Sequence, residues 1–143
     1  MYHYRLYCWL IMIIVTLVGT ACVSEDGVDK SPLATWDPGS VDTFQDATVG
    51  NGTLNILANC VLLVLDNQKT ILLVWPEPTS WNESSQVIEF VGVRGERIEL
   101  RDGDQIIPGG STPIGQPQFV SPPDPSCEAE ETFIVNSLRL VTE

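Results

Sequence analysis

Hydrophobic and polar positions divide the chain into three stretches. Residues 6–18, LYCWLIMIIVTLV, form an apolar run without a charge. Residues 24–51 are almost wholly polar, acidic or small and show no sustained period of 2 or 3.6. From Thr53 onward, short apolar runs alternate with turn-forming residues. Residues 53–57 alternate weakly, and CVLLVL at 60–65 and TILLVW at 70–75 are continuous apolar runs of six residues each. Between them, Asp66-Asn67-Gln68-Lys69 has turn chemistry. Runs this short, rich in β-branched side chains and ended by a turn or a proline, predict the two strands of a β-hairpin and not one buried helix.

The same reasoning continues to the C-terminus. Residues 87–91 read as a strand, Gly92-Val93-Arg94-Gly95 as a turn, and RIEL at 97–100 as a polar/apolar alternation that puts Ile98 and Leu100 on one face. Asp102-Gly103 marks a tight turn leading into a strand at 105–107. Residues 108–126 hold six prolines and three glycines and predict an exposed loop. The last strand is expected at 132–135, continuing through 138–141. Six or seven short strands joined by short turns predict an all-β domain, a small antiparallel barrel that is OB-like, with an immunoglobulin-like β-sandwich as the alternative.

At the N-terminus, Arg5 and the α-amino group supply a positive start. Residues 6–18 supply a 13-residue apolar segment, and Gly19-Thr20-Ala21 the small residues of a cleavage site. The apolar run is well short of the about 20 residues that cross a bilayer as a helix. Val18-Gly19-Thr20-Ala21-Cys22 resembles a bacterial lipoprotein signal, in which a small residue precedes a cysteine that is acylated and becomes the mature N-terminus. Gly19 stands where an aliphatic residue is usual. The resemblance covers residues 1–22. It implies lipidation of Cys22 by acyl chains such as palmitate, export, and attachment to the cell membrane or cell surface. The chain is thereby divided into a signal peptide (1–21), an acidic flexible tether (22–51) and a β-barrel domain (52–143). As a coil, the tether would reach roughly 30 Å, unless Trp36 and Phe44 dock on the domain.

Cysteine parity points the same way. Of Cys8, Cys22, Cys60 and Cys127, the first leaves with the signal peptide, and lipidation of Cys22 removes the odd thiol. Cys60 and Cys127 are then the expected disulfide of an exported protein.

Charge and composition narrow the chemistry. The whole chain carries a formal net charge of −12. Loss of Arg5 leaves six lysines and arginines against nineteen acids, a net charge of −13. Such a surface repels phosphate backbones, so no nucleic-acid partner is expected. The one histidine, His3, precedes the apolar run, so the mature chain has no imidazole for a Ser-His-Asp or Cys-His nucleophile or for a zinc site.

Glu77 and Glu83 flank Trp81 and read as either solvated loop acids or a glycosidase pair. Asp102, Asp104, Glu128, Glu130 and Glu131 are hard oxygen donors without EF-hand spacing, and read as turn residues and a negative rim. No metal or cofactor is expected. The 75–82 segment, WPEPTSWN, is the most suggestive surface feature. Trp75, Trp81 and Asn82 either contact a sugar by stacking and hydrogen bonding, or Trp75 ends a core strand and Trp81 caps the barrel mouth. These features are those of a surface-tethered, non-catalytic binding or structural module of the bacterial cell envelope, attached through its N-terminal lipid and facing an envelope protein or glycan. A secreted carboxylate-dependent hydrolase acting on glycans is the alternative.

Anchoring is directly testable. The wild-type protein is expected in the detergent-soluble membrane fraction of expressing cells, and Cys22→Ser is expected to release it or leave it unprocessed. Mass spectrometry showing an unmodified Cys22 in the mature form would reject lipidation.

Overall fold

The structure, a computed structural model, describes residues 31–40, 47–111 and 118–141. The expected signal peptide, the lipidation candidate Cys22 and Phe44 lie outside the described residues. Among those described, the strands are β1 (Ala34–Trp36), β2 (Ala47–Thr48), β3 (Gly52–Ile56), β4 (Val61–Leu65), β5 (Thr70–Pro76), β6 (Ser80–Asn82), β7 (Val87–Val91), β8 (Arg97–Leu100), β9 (Gln105–Ser111), β10 (Phe119–Ser121) and β11 (Glu131–Leu140).

Five of them close a barrel. β3 pairs with β4, β4 with β5, β5 with β11, β11 with β9, and β9 returns to β3. Taken in chain order, barrel strands one, two and three follow one another, and the fifth lies between the third and the fourth, a Greek-key closure of the OB-like kind. The fold is therefore the barrel and not the immunoglobulin-like sandwich. One pairing departs from the expected antiparallel pattern, because β5 and β11 run parallel, Ile71 beside Glu131 and Val74 beside Ile134. A parallel pair needs a long crossover, and the chain between β5 and β11 supplies it as the small sheet β6-β7-β8 followed by β9.

Period-two alternation fills the interior. Leu54, Val61, Leu63, Ile71, Leu73, Trp75, Ile106, Phe133, Val135 and Leu138 form one buried cluster, and Ile88, Phe90 and Leu100 of the small sheet join it. Trp75 meets Phe90 edge to face with ring centroids 5.9 Å apart, a favoured aromatic geometry. The small sheet is thus packed on the barrel through a shared core.

Most outward residues of β4 and β5 are apolar as well, and Leu62, Leu72 and Val74 among them are covered while Val64 stays half-buried. Leu62 and Leu72 lie under the Cys60–Cys127 disulfide, whose Cα atoms are 6.0 Å apart and which closes 67 residues of chain. Val74 and Ile134 lie under Ala34 and Trp36 of β1. β1 runs parallel to β5 and carries β10 antiparallel on its other side. Trp36 is 1% exposed and donates its indole N–H to the Val135 carbonyl at 3.3 Å. Within the stretch expected to be tether, 22–51, residues 34–36 and 47–48 are instead strands and Trp36 docks as core; residues 22–30 and 41–46 lie outside the described residues.

Two expected loops are partly strand. Residues 108–111, read as the start of an exposed loop, belong to β9, where Pro108, Gly109 and Gly110 pair with Leu138, Ser137 and Val135 across a bulge in β11. Gly110 is there because the backbones nearly touch: a Cβ on it would lie 1.8 Å from the Ile134 carbonyl oxygen. Glycine within a strand commonly marks such a close approach. Residues 119–121, from the same expected loop, form β10. In the 75–82 segment, Trp75 and Pro76 end β5 and residues 80–82 form β6, so the turn between them is short and is closed by the Thr79 N–H to Pro76 carbonyl bond at 2.9 Å.

Trp36→Ala is expected to lower stability by about 3–5 kcal/mol, the range for a buried tryptophan, and Cys127→Ala by about 2–5 kcal/mol. Urea denaturation of each purified variant measures both. A Trp36→Ala protein as stable as wild type would show that β1 does not cover the barrel.

Candidate functional site

In barrels of this connectivity, the usual ligand surface is the outer face of the second and third strands, bordered by the first–second and fourth–fifth loops. Here those strands are β4 and β5, and the described parts of the two connections are residues 57–60 and 118–130, the second including β10. Their outer face is closed. The disulfide fastens one loop to the other over Leu62 and Leu72, and the Asn59 side-chain amide adds a bond to the Ser126 hydroxyl at 2.7 Å. Farther along the same face, Trp36 covers Val74.

An open concavity lies on the small sheet. β6 pairs with β7 and β7 with β8, all antiparallel, so that Ser80, Glu89 and Glu99 stand in one cross-strand row. Period two separates the two faces. Trp81, Ile88, Phe90, Ile98 and Leu100 pack toward the barrel core, while Ser80, Asn82, Glu89, Arg97 and Glu99 occupy the alternate positions. A groove of about 320 Å³ runs over this face, bounded by Pro78, Ser80, Glu89, Val91, Arg97 and Glu99 among others. The Asn82 amide donates to the Glu89 carboxylate at 3.3 Å, and Arg101 approaches Glu99 at 4.0 Å. The second contact joins two exposed side chains and adds little stability. Directly opposed like charges on neighbouring strands disfavour pairing, so Glu89 and Glu99 are not where sheet stability alone would put them.

The structure separates the residues singled out in the sequence. Trp75 is wholly buried and lies in the barrel core, so it cannot touch a ligand. Trp81 is half-buried, packs against the core from the inner face of β6 and donates its indole N–H to Glu83. Asn82 alone faces the groove side. Ser80, Glu89, Arg97 and Glu99 were not picked out, although the alternation in 97–100 already set Arg97 and Glu99 opposite Ile98 and Leu100.

Four of the five acidic residues considered as cation ligands, all but Glu128, have local tasks. The Asp102 carboxylate accepts the Ile56 N–H at 2.8 Å and Asp104 accepts the Arg101 N–H at 2.7 Å, which holds the 101–104 turn against β3. Glu131 pairs with Lys69 at 2.6 Å, and Glu130 accepts the Thr70 N–H at 3.4 Å. Among the described residues, two deeply buried side chains leave polar atoms unpartnered, Trp75 at its indole N–H and Asn136 at its amide. Asn136, at the β11 bulge, is 3% exposed and has neither amide atom partnered, while its backbone carbonyl accepts the Val93 N–H at 3.0 Å.

Compared with protein-family models, curated proteins and solved structures, the chain has no match.

The two faces of β6 make distinguishable demands. Trp81→Ala is expected to lower stability by about 2 kcal/mol, less than the about 3–5 kcal/mol of a fully buried tryptophan. Asn82→Ala should leave the melting midpoint nearly unchanged. Thermal melts of the two variants check this, and a neutral Trp81→Ala would place that ring outside the core.

Proposed function

We propose that this chain is a lipid-anchored, non-catalytic binding module of the bacterial cell envelope, and that it holds an envelope glycan in the groove over β6, β7 and β8. The groove itself carries the proposal. Its volume, about 320 Å³, is that of a small-molecule site, at the lower end of the roughly 300–1,000 Å³ usual for them. Carboxylates at Glu89 and Glu99, the Ser80 hydroxyl and the Arg97 guanidinium converge on it. Such groups hydrogen-bond sugar hydroxyls, which both donate and accept. They sit on strands rather than on a long loop, and strands hold a binding geometry more closely.

Two further observations support the envelope setting. A disulfide between loops of one small domain persists in oxidising compartments. The lipoprotein-like junction at Cys22 lies nine residues before Ser31, where the described chain begins. Nine residues span at most about 30 Å when fully extended, so an acylated Cys22 would keep the barrel close to the bilayer.

A hydrolytic reading draws on the same groove, because Glu89 and Glu99 are directly opposed carboxylates. Residues paired in this way have Cβ atoms about 4.5–5.5 Å apart. A general acid, however, needs an apolar pocket to keep its proton near neutral pH, and both glutamates are exposed. Binding without turnover is therefore the preferred assignment.

Titration of the isotope-labelled protein with soluble peptidoglycan disaccharides is expected to move the amide signals of Ser80, Asn82, Glu89, Arg97 and Glu99. Glu99→Gln should weaken that binding by about 1.5–3 kcal/mol, the contribution of a hydrogen bond to a charged group. Shifts scattered elsewhere, or none, would reject the groove as the glycan site. Cleavage of the disaccharide that is lost in Glu89→Gln or Glu99→Gln would establish the hydrolase instead.

A further inference from the structure

The two most exposed large apolar side chains among the described residues are neighbours on β10, Val120 at 54% and Phe119 at 41%. The others lie apart from them: the Leu57 N–H bonds to the Cys60 carbonyl, and Leu140 and Val141 lie beside Ile106 and Gln105 of β9. Pro122, also exposed, extends the patch, and residues 118–123, QFVSPP, hold no charge. One step along β1, from Thr35 to Trp36, spans two along β10, from Ser121 to Phe119, so Val120 is the extra residue of a bulge. A bulge disrupts the ladder and re-aims a side chain, and it blunts an edge against further strands. The patch therefore offers side chains to a partner, not a template of main-chain hydrogen bonds.

The attachment of the chain itself selects the occupant. Nine residues separate Cys22 from Ser31, at most about 30 Å of extended chain. Ser31 lies four residues before Thr35, which stands opposite Ser121. β10 is thus one strand spacing, about 4.8 Å, from the strand through which the tethered chain enters the barrel. A short tether makes the effective concentration of the membrane high at surfaces near the point of attachment. Charge decides against two other occupants. With six lysines and arginines against nineteen acids in the mature chain, a second copy and an anionic lipid surface are both repelled. The acids that border the patch are engaged locally. Asp37, directly after β1, accepts the Gly39 N–H at 2.8 Å, and Asp124, three residues after β10, accepts the Ser126 N–H at 2.9 Å and its hydroxyl at 2.6 Å.

We propose that Phe119 and Val120 insert into the headgroup region of the bilayer that holds the chain's own acyl anchor, a surface of zwitterionic lipid, and so fix the orientation of the barrel on the membrane. Burial of apolar surface supplies the attraction, and the anchor supplies the proximity. The proposal rests on the lipidation of Cys22. It does not use the groove, which lies on the other sheet.

The test takes the isotope-labelled full chain, processed in and purified from expressing cells, in phosphatidylcholine nanodiscs that contain some nitroxide-labelled lipid. Mass spectrometry of the same sample reports the state of Cys22, and paramagnetic broadening of the amide signals reports which residues lie nearest the lipid. The expected result is an acylated Cys22 with broadening that is greatest at Phe119 and Val120 and declines through β1 to β5. Val120→Asp should reduce the broadening at Phe119 by about twofold or more, because a carboxylate resists leaving water, while the melting midpoint stays near wild type. Phe119→Ser should reduce the broadening at Val120 in the same way. Phosphatidylglycerol in place of part of the phosphatidylcholine should reduce both signals' broadening. An acylated chain broadened most strongly elsewhere, or unaffected by Val120→Asp, overturns the docking and leaves the anchor standing. An unmodified Cys22 overturns anchor and docking together. Broadening that grows with phosphatidylglycerol would show that charge and not apolar contact holds the domain, and would reject the proposal. Intermolecular contacts that place Phe119 and Val120 against a second copy would reject it as well.

Discussion

The structure depends on the need to keep β4 and β5 dry on both faces. Val61–Leu65 and the run 71–75 are apolar at every position, and in a strand consecutive side chains point to opposite sides. Closing the barrel buries only one set: Val61, Leu63, Ile71, Leu73 and Trp75. The other set is Leu62, Val64, Leu72 and Val74; Val64 stays half-buried, and the remaining three would face water, at about 1.5–3 kcal/mol for each large side chain left exposed. A second layer is therefore required outside the barrel, and the chain builds it from two distant segments. The Cys60–Cys127 bridge lies over Leu62 and Leu72, and Trp36 arrives from the N-terminal side to lie over Val74 and Ile134.

That cover occupies the surface through which barrels of this type usually bind, so the groove proposed as the binding site lies on a part added around the barrel. The crossover between β5 and β9 is one such part. Its inner face is claimed by the core through Trp81, Ile88, Phe90, Ile98 and Leu100, so its outer face is free to carry Glu89, Arg97 and Glu99. Covering β5 with β1 moves the sheet edge outward, and among the described residues it ends at β10, a short strand bulged at Val120.

Legibility in the sequence follows the same division. Strands whose pattern is set by the core could be read directly: the two apolar runs, the Arg97–Leu100 alternation, and the Asp102-Gly103 turn, where Gly103 has φ of 87°. Parity sufficed to pair Cys60 with Cys127. Segments whose conformation is set by distant partners could not be read. Pro108-Gly109-Gly110 has the composition of a loop, yet it is a strand because only glycine allows β9 to approach the Ile134 carbonyl so closely. Ala34–Trp36 has three residues and no period, and it becomes a strand through partners some forty and eighty-five positions away. The parallel β5–β11 pairing leaves no local mark, since it is decided by how the barrel closes. In the candidate site, Asn82 was legible as a polar residue near tryptophans. Glu89 and Glu99 were not, because an exposed acid on a strand looks the same in sequence whether or not a neighbouring strand brings a second acid opposite it.

The disulfide connects this architecture to the environment in which it is stable. The segment that leads from β10 into Cys127 contains Pro122, Pro123 and Pro125, and holding its end over Leu62 and Leu72 opposes its conformational entropy. Fixing its end to Cys60 closes a 67-residue loop and shifts that balance by about 4 kcal/mol in the chain-entropy model. This is a large share of the about 5–15 kcal/mol by which a domain is stable. In a reducing compartment the bond would open, and the outer layer over β4 and β5 would lose its fastening. The bond thus fastens the outer layer over two strands whose apolar residues face both sides, and bonds of this kind persist where the surroundings are oxidising.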